Sequence, residues 1–414
     1  MRKSTREHRK HTIARARAIT MTAALSLALS ACIPAQSDTS APPETGSPRA
    51  TSAPSETASP SAAPPSATRS PAAGPTGTAS RDAPQSGQQA GGKPGHVFVV
   101  NLENKGYYET WGKDSLAPYL SGTLRSQGVL LSEYYGIAHN SNPNYLAQIS
   151  GQPSNVMTRD DCPTYTLFKV TGTATAGQVQ GTGCVYPASV PTVAGQLSSA
   201  GKTWKGYMED MATPCQHPAL GAGDDHQDAT PTDQYATRHN PFVYFESITA
   251  SPDCARNVVN FDRLADDLKS AATTPNLAYI TPNLCNDGHD SPCADGRPGG
   301  LETADAWLRQ HVPAILESPA FKQDGVLVIT FDESEGHTTG PSGVAGGTDG
   351  GKVGALVLSA FTKGGTSSTV LYNHYSLLAS IEDMFSLPRL GYAAAPGINT
   401  FETDVFNARP QTQR

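Results

Sequence analysis

The chain has no apolar run long enough to cross a bilayer: the longest, Ala18 to Ala31, falls short of the roughly 20 residues that a spanning helix needs. Nor does it contain a Cys-x-x-Cys pair, which removes the commonest zinc-site spacing. Between Ile33 and Lys93 there is no aromatic residue and the chain is almost entirely Ser, Thr, Pro, Ala and Gly with scattered charges, a composition that cannot bury a core. Basic residues are outnumbered, 30 Lys and Arg against 37 Asp and Glu. Such a balance argues against non-specific nucleic-acid binding, because the chain would repel a phosphate backbone instead of releasing its counterions.

What is present at the N-terminus reads as an export signal over residues 1–31. Arg2, Lys3, Arg6, Arg9, Lys10, Arg15 and Arg17 precede the short apolar run, which ends in small residues before Cys32. Leu29-Ser30-Ala31-Cys32 resembles a bacterial lipobox, so Cys32 is the expected acylated residue and the protein is expected at the extracytoplasmic face of the membrane, held only through that anchor. An ordinary secretory signal is the alternative. Removing the signal leaves 23 basic and 36 acidic residues, a net charge of −13. Residues 32–94 then form a tether of about 60 residues with an r.m.s. span of roughly 40 Å. Residues 95–414 are expected to form the functional domain.

After Cys32, six cysteines remain: Cys162, Cys184, Cys215, Cys254, Cys285 and Cys293. An even number in an exported chain predicts three disulfides, with 15 connectivities open and pairing of sequence neighbours the simplest.

Apolar runs alternate with helical patterns through the domain. His96–Leu102, Thr203–Met208, Leu277–Thr281, Gly325–Phe331 and Val353–Ser359 read as strands, while 115–127, 192–200, 261–270, 304–316 and 375–385 read as helices. Continuous apolar strands separated by helices predict an α/β fold, a mainly parallel central sheet covered on both faces. In such sheets ligands bind beyond the carboxyl ends of the strands. The residues there are Glu103-Asn104, Asn283 through Asp290, and Asp332-Glu333. Carboxylates gathered at strand ends repel one another unless a cation neutralises them, and hard oxygen donors suit Mg, Ca or Mn, with Zn or Fe open for a mixed site.

Ser141 lies in Ala138-His139-Asn140-Ser141-Asn142-Pro143-Asn144-Tyr145, where a first-turn proline and Gly151 bracket a predicted helix. Its hydroxyl stands at a helix N-terminus, which favours anions; Ser141 or Asn142 serving only as the cap is the plainer reading. A metal beside that hydroxyl would favour its nucleophilic form.

These segments, with Phe331-Asp332-Glu333, Asn373-His374-Tyr375-Ser376-Leu377-Leu378 and Ala304-Asp305-Ala306-Trp307-Leu308, resemble in order, from about residue 95 to 395, the phosphoesterase family of secreted bacterial acid phosphatases and phospholipases C, within the alkaline-phosphatase-like superfamily. The likeness is greatest to secreted acid phosphatases, including the phosphatidylinositol-3-phosphatase type. It implies an alkaline-phosphatase-like fold and a divalent metal held by Glu103, Asn104, Ser141, Asp332 and Glu333. It further implies Ser141 as nucleophile, and His289 and His374 as phosphate-pocket histidines that bind phosphate oxygens or protonate the leaving group. Asn144, Asp287 and Asp290 would orient these groups; Asn283 and His139 are further candidates. The implied substrate is a phosphorylated small molecule or phospholipid head group. A phosphodiesterase of phospholipase C type and a non-catalytic surface-binding lipoprotein are the competing readings. Asn140 and Gly106 depart from the family pattern without removing a ligand.

Further segments carry open readings. The glycine-rich stretch 336–351 reads either as a mobile rim of the site or as a loosely ordered surface insertion. Lys205, Glu209 and His239 are candidates to line the pocket, with packing the expected role for the aromatics near them.

Overall fold

A computed structural model of the chain describes residues 93–174, 177–336 and 338–408. The expected signal, Cys32 and nearly all of the expected tether lie outside the described residues.

The strands are β1 His96–Leu102, β2 Val129–Tyr135, β3 Lys169–Thr173, β4 Val179–Thr182, β5 Trp204–Met208, β6 Val258–Asn260, β7 Leu277–Thr281, β8 Gly325–Phe331, β9 Ala355–Ser359 and β10 Thr366–Asn373. Eight form one sheet in the order β10-β2-β9-β8-β1-β7-β5-β6, and β3 pairs with β4 in a separate antiparallel ribbon. Every pairing in the large sheet is parallel except those of β9, which runs antiparallel to β8 and β2. The fold class is thus the expected α/β one with a mainly parallel sheet. Four of the five predicted strands run parallel; the fifth is the antiparallel member.

β1 and β8 lie side by side at the centre, and all seven residues of each are buried. Burial on both faces is why they read as unbroken apolar runs and not as alternating ones. The edge strand β10 is different: its sequence TSSTVLYN is half-exposed and polar, so hydrophobic pattern alone does not reveal it. β2 is hidden for a related reason, since Ser132 and Glu133 interrupt its apolar residues.

The longer helices are α1 Ser141–Ser150, α2 Val193–Ser199, α3 Gly300–Glu317 and α4 His374–Phe385. α1 ends at Gly151, whose φ of +68° is the left-handed conformation that glycine adopts without a Cβ penalty. Asn373 and Ser376 close a reciprocal cap at the start of α4. Two predicted helices are broken up. Residues 115–127 hold a π-helical turn, Tyr119–Leu124, followed by a tight turn at Arg125–Gln127, and 261–270 holds only two short turns, Phe261–Arg263 and Leu264–Asp267.

The six cysteines pair as sequence neighbours, Cys162–Cys184, Cys215–Cys254 and Cys285–Cys293. Two of these bridges fasten the long, mostly irregular stretch that occupies much of 152–257. Because β8 and β9 are antiparallel neighbours, the glycine-rich connection between them must stand at the carboxyl end of β8, beside Asp332 and Glu333. Its described residues pack closely: a Cβ on Gly346 would come within 2.2 Å of the Tyr375 ring, and Asn373 donates to the carbonyls of Ala345 and Gly347. Glycine is needed there for close approach, which corrects the reading of a loose insertion.

Candidate active site

The carboxyl ends of β1 and β8 bring Glu103-Asn104 and Asp332-Glu333 together. Asn104 takes a left-handed φ of +52°, which Asn tolerates better than most residues, and its backbone N–H donates to Asp332 Oδ1 at 3.1 Å. Its side-chain amide donates to Glu103 Oε2 at 3.1 Å. Ser141, the first residue of α1, donates from Oγ to the same Glu103 oxygen at 2.9 Å. Neither Ser141 nor Asn142 caps α1 with its side chain. The free backbone N–H of Asn142 is met instead by the Asp161 carboxylate at 2.8 Å.

The turn before α1 is stapled by Asn144, whose Oδ1 accepts from Ile137 and Ala138 N–H and whose Nδ2 donates to the carbonyls of Ala138 and Asn140. His139 projects from that turn, paired through Nδ1 with Glu333 and through Nε2 with the Thr338 carbonyl at 3.3 Å. After β7, Asn283 accepts from Cys285 and Asn286 N–H and so winds the loop that carries Asp287, His289 and Asp290. Asp287 accepts from the His289 N–H at 2.8 Å, and Asp290 holds His289 Nδ1 at 2.8 Å.

Ser141, Asn104, Glu333 and His289 line one cleft of about 360 Å³, in company with Asn140, Asp161, Gln227, Asp228 and Arg238. Burial, reinforced by Asp332 and Asp287, drives the Glu103 carboxyl well above the usual range; burial raises Asp332, Asp287 and Glu333 as well. The hydrogen bond that His289 donates to the Asp290 carboxylate holds it above the ordinary imidazole value against the opposing effect of its partial burial.

His239 lies between two of these carboxylates, Nε2 at 3.1 Å from Glu103 and Nδ1 at 3.4 Å from Asp287, with Tyr145 stacked on its ring at 5.0 Å. Neither contact has hydrogen-bond alignment, so both ring nitrogens, Glu103 Oε1, Asp287 Oδ2 and Asp332 Oδ2 are buried without a hydrogen-bond partner. Buried polar atoms are rarely left so. Oxygen donors that are unpaired, mutually repelling and buried are the donor set a hard divalent cation relieves, and the residues present therefore fit such an ion. Among the described residues the one group of three His, Cys, Asp or Glu whose ligand atoms all lie within 4.8 Å of one another is Cys285, Cys293 and Asp295, and its sulfurs are already bonded to each other.

His374, expected in the phosphate pocket, is fully buried and, like Glu103, Asp332 and Asp287, is not among the residues that line the cleft. Its Nε2 donates to the Asp332 carbonyl at 2.5 Å, while Nδ1 accepts from Tyr134 Oη at 3.0 Å and Gln148 Nε2 at 3.2 Å. Burial pushes it down to about 4, so it is neutral. A protonated histidine facing phosphate is not what this position supplies; it steadies the backbone at Asp332. Lys205 pairs with Asp267, and Glu209 accepts from Asn283 N, Asn286 Nδ2 and Trp307 Nε1 behind the loop, so neither lines the cleft.

Arg238, Asp161, Gln227 and Asp228 were not anticipated. They come from irregular segments that no strand end announces; the nearest signal is the Arg238-His239-Asn240-Pro241 run, where only the histidine drew notice.

The chain is 28% identical to a probable acid phosphatase of Kluyveromyces lactis over 71% of this chain and 59% of that protein, and 28% identical to an acid phosphatase of Aspergillus fumigatus over 71% and 55%. It thus spans little more than half the length of these relatives. It is 27% identical to a phosphatidylinositol-3-phosphatase of Mycobacterium tuberculosis over 78% of this chain and 87% of that one. A solved structure of an alkaline phosphatase superfamily protein from Vibrio parahaemolyticus aligns with a TM-score of 0.44 at 11% identity, over 75% of this chain and 69% of the other. The model of the phosphoesterase family matches residues 95–388, which takes in every strand of the sheet and the whole cleft, and the chain belongs to that family.

Proposed function

We propose that the protein is an exported, metal-dependent phosphomonoesterase of acid phosphatase type that passes the phosphoryl group through Ser141. One observation carries this reading: the Ser141 hydroxyl, at the N-terminus of α1, opens on the cleft while hydrogen-bonded to a buried carboxylate at 2.9 Å. In that position the Oγ proton passes to the Glu103 carboxylate that already accepts it, Oγ attacks phosphorus, the bond to the ester oxygen breaks, and the leaving alkoxide takes a proton from His289 Nε2. Water then cleaves the phosphoserine and frees inorganic phosphate. Glu103, Asn104, Ser141, Asp332 and Glu333 would hold the divalent ion. When bound, it would lower the pKa of the serine hydroxyl and offset charge on the transferring group. His139 and Asp290 orient Glu333 and His289.

The relatives named as acid phosphatases support a monoester substrate, and the one named phosphatidylinositol-3-phosphatase places phosphorylated lipid head groups on the panel to be assayed. Paired cysteines agree with an oxidising compartment, and no helix among the described residues is long and apolar enough to cross a membrane. Attachment through Cys32 is tested by Cys32→Ala, which should move the protein out of the membrane fraction.

For the chemistry, Ser141→Ala should lower p-nitrophenyl phosphate turnover by about a thousandfold or more while leaving bound metal nearly intact. Retention of more than about a tenth of wild-type turnover, a barrier change under about 1.4 kcal/mol, would remove Ser141 as nucleophile. Chelation of the wild type should abolish turnover, and re-addition of a single divalent metal should restore it.

A further inference from the structure

Arg238 sits in the tight turn Thr237–His239 and is only 6% exposed, yet it is one of the residues that line the cleft. Its Nη1 is tied to the Gln227 carbonyl. Its own backbone carbonyl accepts from Asn142 Nδ2 at 3.2 Å, next to Ser141. Among the described residues no carboxylate comes within 4.0 Å of the guanidinium, and its nitrogens are not among the buried atoms without partners. Its charge is balanced at longer range by Asp161, Glu103 and Asp287, but only one nitrogen is fixed by a hydrogen bond, so the guanidinium keeps donors to give to whatever enters the cleft.

The remaining lining shows what that cation is for. Asp161, Asp228 and Glu333 are acidic, Asn104, Asn140 and Gln227 are neutral amides, and His289 is the other group able to carry positive charge. A phosphomonoester, with a second pKa of about 6, brings close to two negative charges and three terminal oxygens near neutral pH. A diester brings one charge and two terminal oxygens. Beside a divalent ion held at Glu333, the Asp161 and Asp228 side of the wall still disfavours the monoester's extra charge, and a fixed cation there offsets it. Arg is always charged, and its planar fork can engage two phosphate oxygens at once.

We propose that Arg238 sets a preference for phosphomonoesters over phosphodiesters, by binding the terminal oxygen that a diester replaces with its second ester link. This rests on the phosphoesterase reading of the same cleft and names the residue that decides its substrate class.

The test compares wild type, Arg238→Gln and Arg238→Lys in the metal-loaded protein. Three quantities are measured: kcat/KM for p-nitrophenyl phosphate, kcat/KM for bis-p-nitrophenyl phosphate, and the affinity for inorganic phosphate by calorimetry. Arg238→Gln should lower the monoester value by about a hundredfold, mostly in KM, and weaken phosphate binding in parallel, while the diester value falls by less than about threefold. Arg238→Lys keeps the charge without the fork and should lie between; it also serves if the Gln variant does not fold. Equal losses on both esters, or unchanged phosphate affinity in both variants, would overturn the proposal and leave Arg238 as a structural prop. Phosphate affinity is read without turnover, so a wild type that binds phosphate but hydrolyses neither ester would defeat the catalytic reading alone.

Discussion

Two groups of buried polar side chains meet at Asp332 and are treated in opposite ways. On the side of the deep network, His374, Tyr134, Gln148 and Tyr279 are tied into a continuous set of hydrogen bonds that runs from the Asp332 carbonyl to Asn101 on β1. On the side of the cleft, Glu103, Asp287, His239 and the Asp332 carboxylate keep unpaired atoms, and Asp332 and Asp287 add to the burial that raises Glu103. An unpaired buried polar group costs about 1–3 kcal/mol; single atoms such as Asn101 Nδ2 are left so elsewhere, but among the described residues only beside the cleft do several carboxylate oxygens share this state, the donor set that a cation completes. The contrast separates residues that hold the site from residues that act in it.

The largest effect that would sharpen this contrast comes from Asp332→Asn. It should abolish turnover and metal binding together. Stability of the metal-free protein should stay unchanged or rise, because the amide still accepts from Asn104 N–H while the charge that Glu103 repels is gone. A marked loss of stability would show that Asp332 belongs with the structural group. His374→Phe should behave in the reverse sense. It leaves Tyr134 Oη and the Asp332 carbonyl without their partner and removes one of the two acceptors of Gln148 Nε2, and urea unfolding should report a loss of about 2–4 kcal/mol. Since burial keeps His374 neutral, its replacement should not add or remove a limb in the pH profile of the residual activity.

A smaller effect concerns the alkaline limb of the pH profile. The bond that His289 donates to Asp290 raises His289, so its protonated form persists to higher pH than that of an ordinary histidine, and turnover that needs this proton is lost as pH rises through the elevated value. Asp290→Asn removes the bond and should move that limb to lower pH, read in kcat against pH. A limb that stayed in place would assign it to another group.

The smallest effect should come from the Cys285–Cys293 bridge. It closes a loop with a sequence separation of 8, so its entropic contribution is modest, about 2–3 kcal/mol by the chain-closure relation. The double Cys→Ala variant should lower the melting temperature by a few degrees and reduce turnover about tenfold, because Asp287 and His289 lie inside the loop. If stability fell with no change in kcat, the loop would be a scaffold feature alone.

Much of this protein is legible in its sequence. The continuous apolar runs of β1, β7 and β8 announce a doubly covered parallel sheet, since only burial on both faces makes a strand apolar throughout. The same runs locate Glu103-Asn104 and Asp332-Glu333 at its carboxyl edge, because a strand end is defined by local pattern. Pro143 and Gly151 bracket α1 through backbone constraints that act within a few residues.

What only the tertiary structure decided depends on contacts between distant segments. That His374 lies buried against the Asp332 carbonyl while His289 faces the cleft is set by which side of each loop packs inward, and no local periodicity records it. Arg238 and Asp161 reach the cleft from irregular chain that disulfides fasten in place, so their roles arise from long-range packing. The antiparallel β9 and the close-packed glycine loop beside Glu333 follow from how β8 and its neighbour share hydrogen bonds, a choice made by the assembled sheet and not by either strand alone.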